Sequence, residues 1–528
     1  MTGRNHIGFA LSSLSDNCFQ AVNPATGQKL DSHFYVASTL ELEQAVELAV
    51  RAFPVFSRIS ILRRAEFLKS IGEEILLEKE EILDRYILES GLSRKRGELE
   101  LQRTIFQLCS YADDLLKGEV LGISIDISDS HEHSSRPDIR KMNVAIGPVV
   151  VFGASNFPLA YSTAGGDTAS ALAAGCPVIV KAHPLHPGTS FLVAEAIVRA
   201  ARRTEMPEGV FSHLFDDRFE VGKQLVSHDG IKAVGFTGSF KGGMALVDLA
   251  NKRKNPIPVF AEMGSVNPIV VLPSVLNMDP IEVASKIALS VTNDAGQFCT
   301  KPGIVLVKRE IALDGFVMDL CEKVKEALPR TMLSDSIYLT FNNTIQSLND
   351  SVQLKQRSAP NLEVGQGIPA VLELNQLEFL SDKKYSGEIF GPITVIVRYD
   401  NDEGLEQCLN QLFGQLTCSV FGSLEELQDH SVLLLQMQEI AGRVIVNGVP
   451  TGVTVCPSMH HGGPFPAASD SRFTAVGSDA IKRFLRPVAF QNFPNSLLPD
   501  LLQNENPLKV TRRINGRISE NALVHKKD

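Results

Sequence analysis

Three polar residues are of the types needed for covalent chemistry on a carbonyl group. Cys299 lies in the small-residue loop 296–300, Glu262 lies upstream of it, and Asn156 lies further upstream. A cysteine thiolate is a nucleophile, a carboxylate can be a general base, and an asparagine amide can donate a hydrogen bond to a developing oxyanion. Together they predict attack by the thiolate on a carbonyl carbon.

Each of the three also has an ordinary structural interpretation. A single cysteine is more often a small buried hydrophobe, and Glu262 and Asn156 also suit a strand end and a turn. The loop around Cys299 is rich in glycine and proline, which favours a position at a cleft, whereas the other seven cysteines are predicted to be structural. Glu262 follows an apolar pair, so partial burial would raise its pKa towards that of a general base.

A second group of residues indicates a nucleotide site. Lys181 ends an apolar run and can hydrogen-bond ribose or phosphate. Gly238 and Ser239 stand between an apolar strand and a helix, where backbone amides can hold a pyrophosphate. Glu388 offers a carboxylate for a second ribose, and Phe390 offers a ring. The G-x-G-x-x-G fingerprint is absent, so solvated strand ends and loops remain the alternative for each residue taken alone.

The composition restricts the class of protein. The chain has 528 residues and a net charge of -10, with 44% hydrophobic and 21% charged residues, which is typical of an enzyme of two or three domains and not of a nucleic-acid-binding protein. The 8 cysteines include no C-x-x-C pair, which favours free thiols and a cytoplasmic location. The uncharged stretch 142–166 contains prolines and asparagines and is predicted to be a strand and loop, not a membrane span.

Short β-branched runs alternate with helical patterns, which predicts an α/β fold with parallel strands covered on both faces. The predicted strands are 144–146, 149–152, 178–180, 233–236, 269–272, 304–307, 393–397, 418–421 and 444–446. Apolar spacing predicts helices over 61–75, 190–203 and 276–290.

Two polar segments stand apart from this alternation. Segment 126–141 is predicted to be a surface hairpin, and its His131 and His133 are predicted to be solvated because no further ligand accompanies them. No metal site is therefore predicted. The polar tail 503–528 is predicted to be a frayed or packed terminal extension.

The motifs occur in an order that resembles the aldehyde dehydrogenase superfamily. They are Asn-Phe-Pro at 156–158, a strand-ending lysine at 181, Phe-Thr-Gly-Ser at 236–239, Glu-x-Gly at 262–264, Gly-Gln-x-Cys at 296–299 and Glu-x-Phe-Gly-Pro at 388–392. The resemblance covers roughly residues 20 to 490. One departure is Ser265, where the family commonly has glycine.

The resemblance implies a role for each matched residue. Cys299 would be the nucleophile and Glu262 the general base, and Asn156 would form the oxyanion hole with the backbone N–H of Cys299. The cofactor residues would be Lys181 and Glu388 at its riboses, Phe390 near the nicotinamide, and Gly238 and Ser239 at the pyrophosphate.

Further motifs resemble one group within the family, the 2-oxoglutarate semialdehyde (2,5-dioxopentanoate) dehydrogenases. They include the segments 186–190, 446–453 and 460–467. The resemblance implies NAD(P)+-dependent oxidation of that aldehyde to 2-oxoglutarate, with Arg103 as a candidate partner of the substrate carboxylate or simply a surface arginine. A long-chain fatty aldehyde or succinate semialdehyde is the alternative substrate.

The cofactor is expected to be NADP or NAD, with a lean towards NADP. Pro184 stands where many NAD-preferring members carry glutamate, so a 2′-phosphate would not be repelled, and Arg218 could contact it. Asp216 and Asp217 could instead bind a ribose hydroxyl.

The resemblance also implies an architecture: a Rossmann-type cofactor domain, an α/β catalytic domain and a small oligomerisation hairpin. We expect 1–121 and 148–272 to form the dinucleotide-binding domain, 273–470 the catalytic domain, 122–147 and 485–500 the oligomerisation elements, and 501–528 a C-terminal extension. The expected partners are a small aldehyde and identical subunits in a homodimer or homotetramer, with no nucleic acid and no membrane.

Two other functions compete with this interpretation. A cysteine hydrolase or acyltransferase would normally need a histidine beside its nucleophile and would leave the nucleotide motifs unexplained. A non-catalytic scaffold would tolerate loss of the reactive residues, yet Asn156, Glu262 and Cys299 are all present.

Overall fold

The computed structural model describes residues 1–131, 134–349, 354–356 and 365–523. The strands, in chain order, are β1 (Asn5–Ile7), β2 (Ala10–Ser12), β3 (Cys18–Val22), β4 (Lys29–Tyr35), β5 (Ser124–Asp126), β6 (Asp129–His131), β7 (Ser134–Arg136), β8 (Ile139–Ala145), β9 (Val149–Phe152), β10 (Val178–Lys181), β11 (Phe211–Leu214), β12 (Ala233–Thr237), β13 (Val259–Glu262), β14 (Ile269–Val271), β15 (Ile304–Lys308), β16 (Arg330–Thr331), β17 (Leu354–Gln356), β18 (Gln366–Gly367), β19 (Ala370–Asn375), β20 (Ile393–Tyr399), β21 (Gln415–Phe421), β22 (Ala441–Val446), β23 (Leu485–Gln491), β24 (Arg512–Ile514) and β25 (Arg517–Ser519). The α-helices are α1 (Thr39–Phe56), α2 (Ile61–Leu77), α3 (Lys79–Ser90), α4 (Arg94–Lys117), α5 (Gly166–Ala174), α6 (Pro187–Arg203), α7 (Glu220–Ser227), α8 (Phe240–Asn251), α9 (Pro280–Thr292), α10 (Asp314–Glu326), α11 (Asp335–Asn349), α12 (Gln376–Ser381), α13 (Asp402–Asn410), α14 (Leu424–Asp429) and α15 (Ser431–Ile440).

The first of two large sheets has the strand order β13-β12-β9-β10-β11-β1-β2. Its five strands from β13 to β11 are parallel. Strands β9 and β10 carry the apolar runs that predict burial on both faces, and every residue of β10 is buried. Because parallel strands end at the same edge, the loops after β9, β10, β12 and β13 meet there.

The second large sheet has the order β17-β19-β20-β15-β14-β21-β22. All neighbours in it are parallel except the edge strand β17. The predicted α/β class is therefore confirmed. Strand β14 pairs with β15 and β21, so the expected boundary after residue 272 misplaces this strand, and the change between sheets occurs before Ile269.

The nine predicted strands all occur, with changes only at their ends. The run predicted over 149–152 is β9, whereas β8 begins earlier than predicted, at Ile139. The uncharged stretch 142–166 contains the end of β8, strand β9 and a loop. Within the described residues, no helix has the length and apolar character required to cross a membrane.

The helices begin where their sequences provide caps. Ser38, Ser60 and Ser93 accept backbone hydrogen bonds at the starts of α1, α2 and α4, which satisfies amides that have no partner within the helix. The stripe predicted over 61–75 lies in α2, and the pattern over 190–203 lies in α6. The helix predicted from residue 276 begins later, at Pro280, because Asp279 caps it and 273–277 form a 3-10 turn.

A third sheet joins distant parts of the chain in the order β23-β8-β5-β24-β25. The segment predicted as a surface hairpin contributes the hairpin β6–β7 and the start of β8. Its His133 lies outside the described residues.

The described part of the C-terminal extension forms one edge of this sheet, because β24 and β25 are two of its strands. The buried guanidinium of Arg512 donates to the carbonyl oxygens of Gln503, Asn504 and Asn521. Residues 524–528 lie outside the described part of the chain.

Candidate active site

The structure brings the three predicted chemical residues together. Glu262 is the last residue of β13, Asn156 lies in the loop after β9, and Cys299 lies between α9 and β15. The Asn156 amide nitrogen donates to the carbonyl oxygen of Gln297 at 3.0 Å. Reactive atoms of Glu262 and Cys299 lie within 4.8 Å of one another.

The loop before Cys299 has an unusual backbone. Asp294, Ala295 and Gly296 have φ angles of 44°, 56° and 63°, and two consecutive non-glycine residues in the left-handed region are energetically unfavourable. Arg96 holds this conformation by donating to the Asp294 carboxylate at 2.9 Å. A Cβ atom on Gly296 would lie 2.3 Å from the carbonyl oxygen of Gly391, so this position requires glycine.

A buried polar network fixes the peptide of the nucleophile. The Asn267 amide nitrogen donates to the carbonyl oxygens of Cys299 at 2.8 Å and Lys301 at 3.1 Å. The Ser265 hydroxyl lies 3.0 Å from the Asn267 side-chain oxygen and 2.8 Å from that of Gln415. Ser265, the departure from the family pattern, therefore links the loop after Glu262 to β21 rather than merely replacing a flexible glycine.

A histidine completes the site. The Nε2 atom of His461 lies 3.5 Å from Sγ of Cys299 and 3.2 Å from Oε1 of Glu262. Both His461 and Glu262 are buried, and Cys299 is half-buried. In the sequence, the histidine–glycine motif at 460–463 indicated only the group within the family, and no role was predicted for His461. The flexible glycines that follow this histidine were a signal that could have identified it as a site residue.

Burial shifts the pKa of all three groups towards their neutral forms. Burial, with a smaller contribution from Asp167, raises the pKa of Glu262 to about 8. Burial and the nearby Glu262 carboxylate raise the pKa of the Cys299 thiol well above its ordinary value. Burial and the charge of Arg103 lower the pKa of His461 well below its ordinary value. These shifts oppose proton transfer from Cys299 to His461, so the Glu262 carboxylate, with its pKa of about 8, is the stronger base beside the thiol.

A cavity of about 470 Å³ leads to Cys299. Phe157, Tyr161 and Phe298 form an aromatic part of its wall. Arg103 lines the same cavity, so the candidate substrate-binding residue is near the nucleophile and is not a free surface residue. A pocket with apolar walls and cations, Arg103 and Lys286 among them, suits a small organic acid.

The Arg103 guanidinium is partly engaged by the protein. It donates to the carbonyl oxygen of Val453 at 2.6 Å and to the Tyr161 hydroxyl at 3.1 Å. Its Nε atom is buried and has no hydrogen-bond partner among the described residues. Arg103 therefore both holds the cavity wall and retains an unsatisfied donor.

Lys181, Gly238 and Ser239 lie at the carboxyl-terminal edge of the first sheet. Lys181 ends β10 and is buried, and burial lowers its pKa. The amide of Gly238 donates to the carbonyl oxygen of Glu262 at 3.0 Å, and the Ser239 hydroxyl caps α8 by accepting from Gly242 at 3.2 Å. The start of α8 therefore lies at the carboxyl-terminal edge of the first sheet.

The Asp216 and Arg218 side chains differ in whether they are free to bind a cofactor. The buried Asp216 carboxylate accepts from the amides of Arg218 at 3.0 Å and Val221 at 3.1 Å, which holds the turn into α7. Arg218 and Asp217 are exposed. Asp216 is therefore occupied by the backbone, and the exposed Arg218 lies four residues after Leu214, the β11 residue that pairs with Lys181 at the end of β10.

Glu388 and Phe390 lie in the segment before β20. The Glu388 carboxylate packs against Gly264, where a Cβ atom would lie 2.1 Å from Oε2. The buried Lys301, two residues after the nucleophile, donates to the carbonyl oxygen of Ile393 at 2.9 Å. This contact ties the nucleophile loop to the strand that follows Glu388, and sequence reasoning did not identify it.

Comparison with known proteins finds relatives that match this chain over nearly its whole length. A model of the aldehyde dehydrogenase family matches residues 11–346. The chain is 43% identical to alpha-ketoglutaric semialdehyde dehydrogenase 2 of Azospirillum brasilense over 98% of this chain and 99% of the relative. It is 41% identical to alpha-ketoglutaric semialdehyde dehydrogenase of Acinetobacter baylyi, over 95% and 96% of the two chains.

Solved structures share the fold at lower sequence identity. Aldehyde dehydrogenase C of Pseudomonas syringae, solved with NAD+ and octanal, has a TM-score of 0.78 at 22% identity and covers 93% of this chain and 97% of that one. The 1-pyrroline-5-carboxylate dehydrogenase from Thermus, solved with NAD, has a TM-score of 0.79 at 21% identity, covering 92% of each chain. The family match and the near full-length relatives show that this chain belongs to the aldehyde dehydrogenase family of oxidoreductases.

Proposed function

We propose that this enzyme oxidises 2-oxoglutarate semialdehyde (2,5-dioxopentanoate) to 2-oxoglutarate with NAD(P)+. The observation that carries the proposal is a cavity that contains both a cysteine nucleophile and a cation. Cys299 lies beside His461 and Glu262, and Arg103 lines the same cavity. The two semialdehyde dehydrogenase relatives, each covered over almost its whole length, support the choice of substrate.

The protein residues perform the chemistry at the carbonyl carbon. Cys299 attacks the aldehyde carbon as a thiolate after its thiol proton passes to the Glu262 carboxylate and from there to solvent. The resulting oxyanion is stabilised by the second N–H of the Asn156 amide and the backbone N–H of Cys299, and such a donor contributes about 3–4 kcal/mol. A bound nicotinamide supplies the acceptor for the hydride that this carbon must lose.

The acyl group then remains on Cys299 as a thioester. Glu262 removes a proton from water, the water oxygen adds to the thioester carbon, and the carbon–sulfur bond breaks. The products are the carboxylic acid and the regenerated thiol. Burial suits Glu262 to this role because its pKa of about 8 makes it a stronger base than an exposed carboxylate.

The donor set at the edge of the first sheet fits a dinucleotide. Lys181 and Glu388 would hold the two riboses, the start of α8 at Gly238 and Ser239 would hold the pyrophosphate, and Phe390 would pack near the nicotinamide. The close contact between Gly264 and Glu388 supports this assignment, because any side chain at position 264 would displace the Glu388 carboxylate.

We propose NADP as the preferred form of the cofactor. A ribose 2′-hydroxyl is commonly recognised by a free carboxylate; Asp216 already accepts backbone hydrogen bonds in the turn into α7, which leaves the exposed Asp217 as the competing carboxylate. The exposed Arg218 can pair with a 2′-phosphate. Pro184 adds no opposing charge.

We propose that the domain boundaries expected above hold except at β14, and that the third sheet mediates assembly into a dimer or tetramer. This sheet exposes its edge strand β25 and leaves Phe493, near the end of β23, 45% exposed. Apolar surface of this kind favours contact with another subunit. The cysteine pattern supports a reducing compartment, the cytoplasm.

The first prediction concerns substrate and nucleophile. In a panel of aldehydes tested with NAD+ and NADP+, kcat/KM should be highest for 2-oxoglutarate semialdehyde with NADP+. The Cys299→Ala variant should lose activity by about a thousandfold or more, while Cys456→Ser should retain it. Production of NADPH by Cys299→Ala at the normal rate would contradict the mechanism.

The second prediction concerns pH. Because Glu262 acts as a base only when ionised, and its pKa is about 8, thioester hydrolysis should accelerate as pH rises through about 8. Glu262→Gln should lose this dependence and slow hydrolysis by about 10²–10⁴-fold, leaving a burst of one NAD(P)H per site. Rapid-quench measurement of the acyl-enzyme against pH provides the test, and an unchanged pH profile in Glu262→Gln would assign the base elsewhere.

The third prediction concerns the substrate carboxylate. Arg103→Ala should raise KM for 2-oxoglutarate semialdehyde about 10- to 100-fold, because a hydrogen bond to a charged group contributes about 1.5–3 kcal/mol. KM for an uncharged aliphatic aldehyde should change little, and Arg103→Lys should restore part of the loss. Lys286→Ala, which alters an exposed cation of the same cavity, is the matched control. Equal losses for both aldehydes would reduce Arg103 to a structural role.

The fourth prediction concerns the cofactor. Arg218→Ala should raise KM for NADP+ by about tenfold or more while leaving KM for NAD+ within about twofold, since only NADP+ carries the phosphate. Lys223→Ala, an exposed cation on α7, should affect neither cofactor. Fluorescence titration of both variants measures the two affinities directly. A similar loss for both cofactors would remove Arg218 from phosphate recognition.

A further inference from the structure

The reactive site also has the donor set of a metal site. Cys299, His461 and Glu262 offer one sulfur, one nitrogen and one oxygen, and these atoms all lie within 4.8 Å of one another. Zn²⁺ binds these three kinds of ligand, usually in tetrahedral geometry. Proteins that hold zinc with three side chains leave the fourth position to water or a ligand.

Two of the three separations between the ligand atoms match a tetrahedral ion. Zinc bonds of about 2.3 Å to sulfur and about 2.0–2.2 Å to nitrogen and oxygen place sulfur and nitrogen about 3.6 Å apart, and nitrogen and oxygen about 3.4 Å apart. In the structure, Sγ of Cys299 lies 3.5 Å from Nε2 of His461, and Nε2 lies 3.2 Å from Oε1 of Glu262. The third separation, from Sγ of Cys299 to the Glu262 carboxylate, is within 4.8 Å, against about 3.6 Å around a tetrahedral ion, so binding would draw these two side chains closer together.

The Glu262 carboxylate can bind a metal ion without losing an existing hydrogen bond to a described residue. Glu262 is 5% exposed, and neither of its oxygens has a hydrogen-bond partner of acceptable geometry among the described residues. A buried oxygen without a partner is unfavourable. The oxygens also belong to a cluster whose sulfur borders the cavity, so an ion can enter from solvent.

The charges also favour a divalent cation. When ionised, Cys299 and Glu262 each carry one negative charge, and their ligand atoms lie within 4.8 Å of one another in a largely buried site. One Zn²⁺ ion would neutralise both charges, with His461 as a neutral third ligand. Binding would release the thiol proton, and the Glu262 proton when it is present, to solvent.

We propose that Zn²⁺ binds reversibly to Cys299, His461 and Glu262 and inhibits the enzyme. Zinc is here an inhibitory ligand and not a resident cofactor, because the sulfur that it binds is the atom that must attack the aldehyde. Bound zinc leaves no free thiolate and no free general base, so it competes with the aldehyde. The inhibitory consequence rests on the proposed function, whereas the binding of the ion does not.

The test uses Co²⁺ as a spectroscopic substitute for zinc on the complete enzyme without cofactor. Titration should give one equivalent of Co²⁺ per chain with sulfur-to-cobalt charge-transfer absorption and the visible bands of a tetrahedral ion. Zn²⁺ should remove this spectrum and slow alkylation of Cys299 by iodoacetamide, and a chelator should reverse both effects.

Single substitutions identify the ligands. Cys299→Ala should abolish the charge-transfer band, and His461→Ala and Glu262→Gln should each weaken Co²⁺ binding by more than about tenfold. Cys18→Ser, which removes an exposed thiol, should leave the titration unchanged. If His461→Ala fails to fold, Glu262→Gln still tests the geometry.

The outcomes separate this proposal from the function proposed above. Loss of the cobalt spectrum in Cys299→Ala and its weakening in Glu262→Gln would support the site. A spectrum that is unchanged in Cys299→Ala, or absent from the unmodified enzyme, would overturn it, even if aldehyde oxidation is normal. If Co²⁺ binds as expected but no aldehyde is oxidised, the metal site stands and the proposed function fails.

Discussion

The side chain of Asn267 is the contact on which the catalytic geometry depends. It is fully buried, its backbone is left-handed with φ of 48°, and its amide donates to the carbonyl oxygens of Cys299 and Lys301. Its oxygen accepts from Thr417 on β21 at 2.9 Å. A buried carbonyl left without a partner costs about 1–3 kcal/mol, so this side chain stabilises the loop of the nucleophile against the second sheet.

The first sheet supplies the other half of the site. Glu262 ends β13, and its carbonyl oxygen accepts from Gly238 at the start of the turn towards α8. The base and the segment proposed to hold the pyrophosphate therefore share one backbone contact. Lys301 provides the matching link in the second sheet, between the nucleophile loop and the strand after Glu388. Rigid links of this kind keep reactive groups at fixed separations, which is what catalysis by positioning requires.

Much of the architecture could be predicted because the relevant signals are local. Continuous β-branched runs such as β9 and β10 are buried on both faces and need no distant information to be recognised. The motifs around Cys299 and Glu262 were equally visible in the sequence. His461 was missed because its importance arises only when its loop folds back onto Cys299, from which it is separated by more than 160 positions. The role of Ser265 likewise depends on Gln415, which a local pattern cannot reveal.

The third sheet has a consequence for how the protein is made. Strand β24 pairs with β5 in parallel, with Arg513 opposite Ser124 and Ile514 opposite Ile125. About 390 residues separate these partners, which at about 5–20 residues per second means a delay of roughly 20–80 s during synthesis. Over that interval the hydrogen-bonding edge of β5 lacks the neighbour that covers it in the finished protein. Unprotected strand edges pair readily with other chains, so the nascent polypeptide passes through a stage in which protection by chaperones matters most.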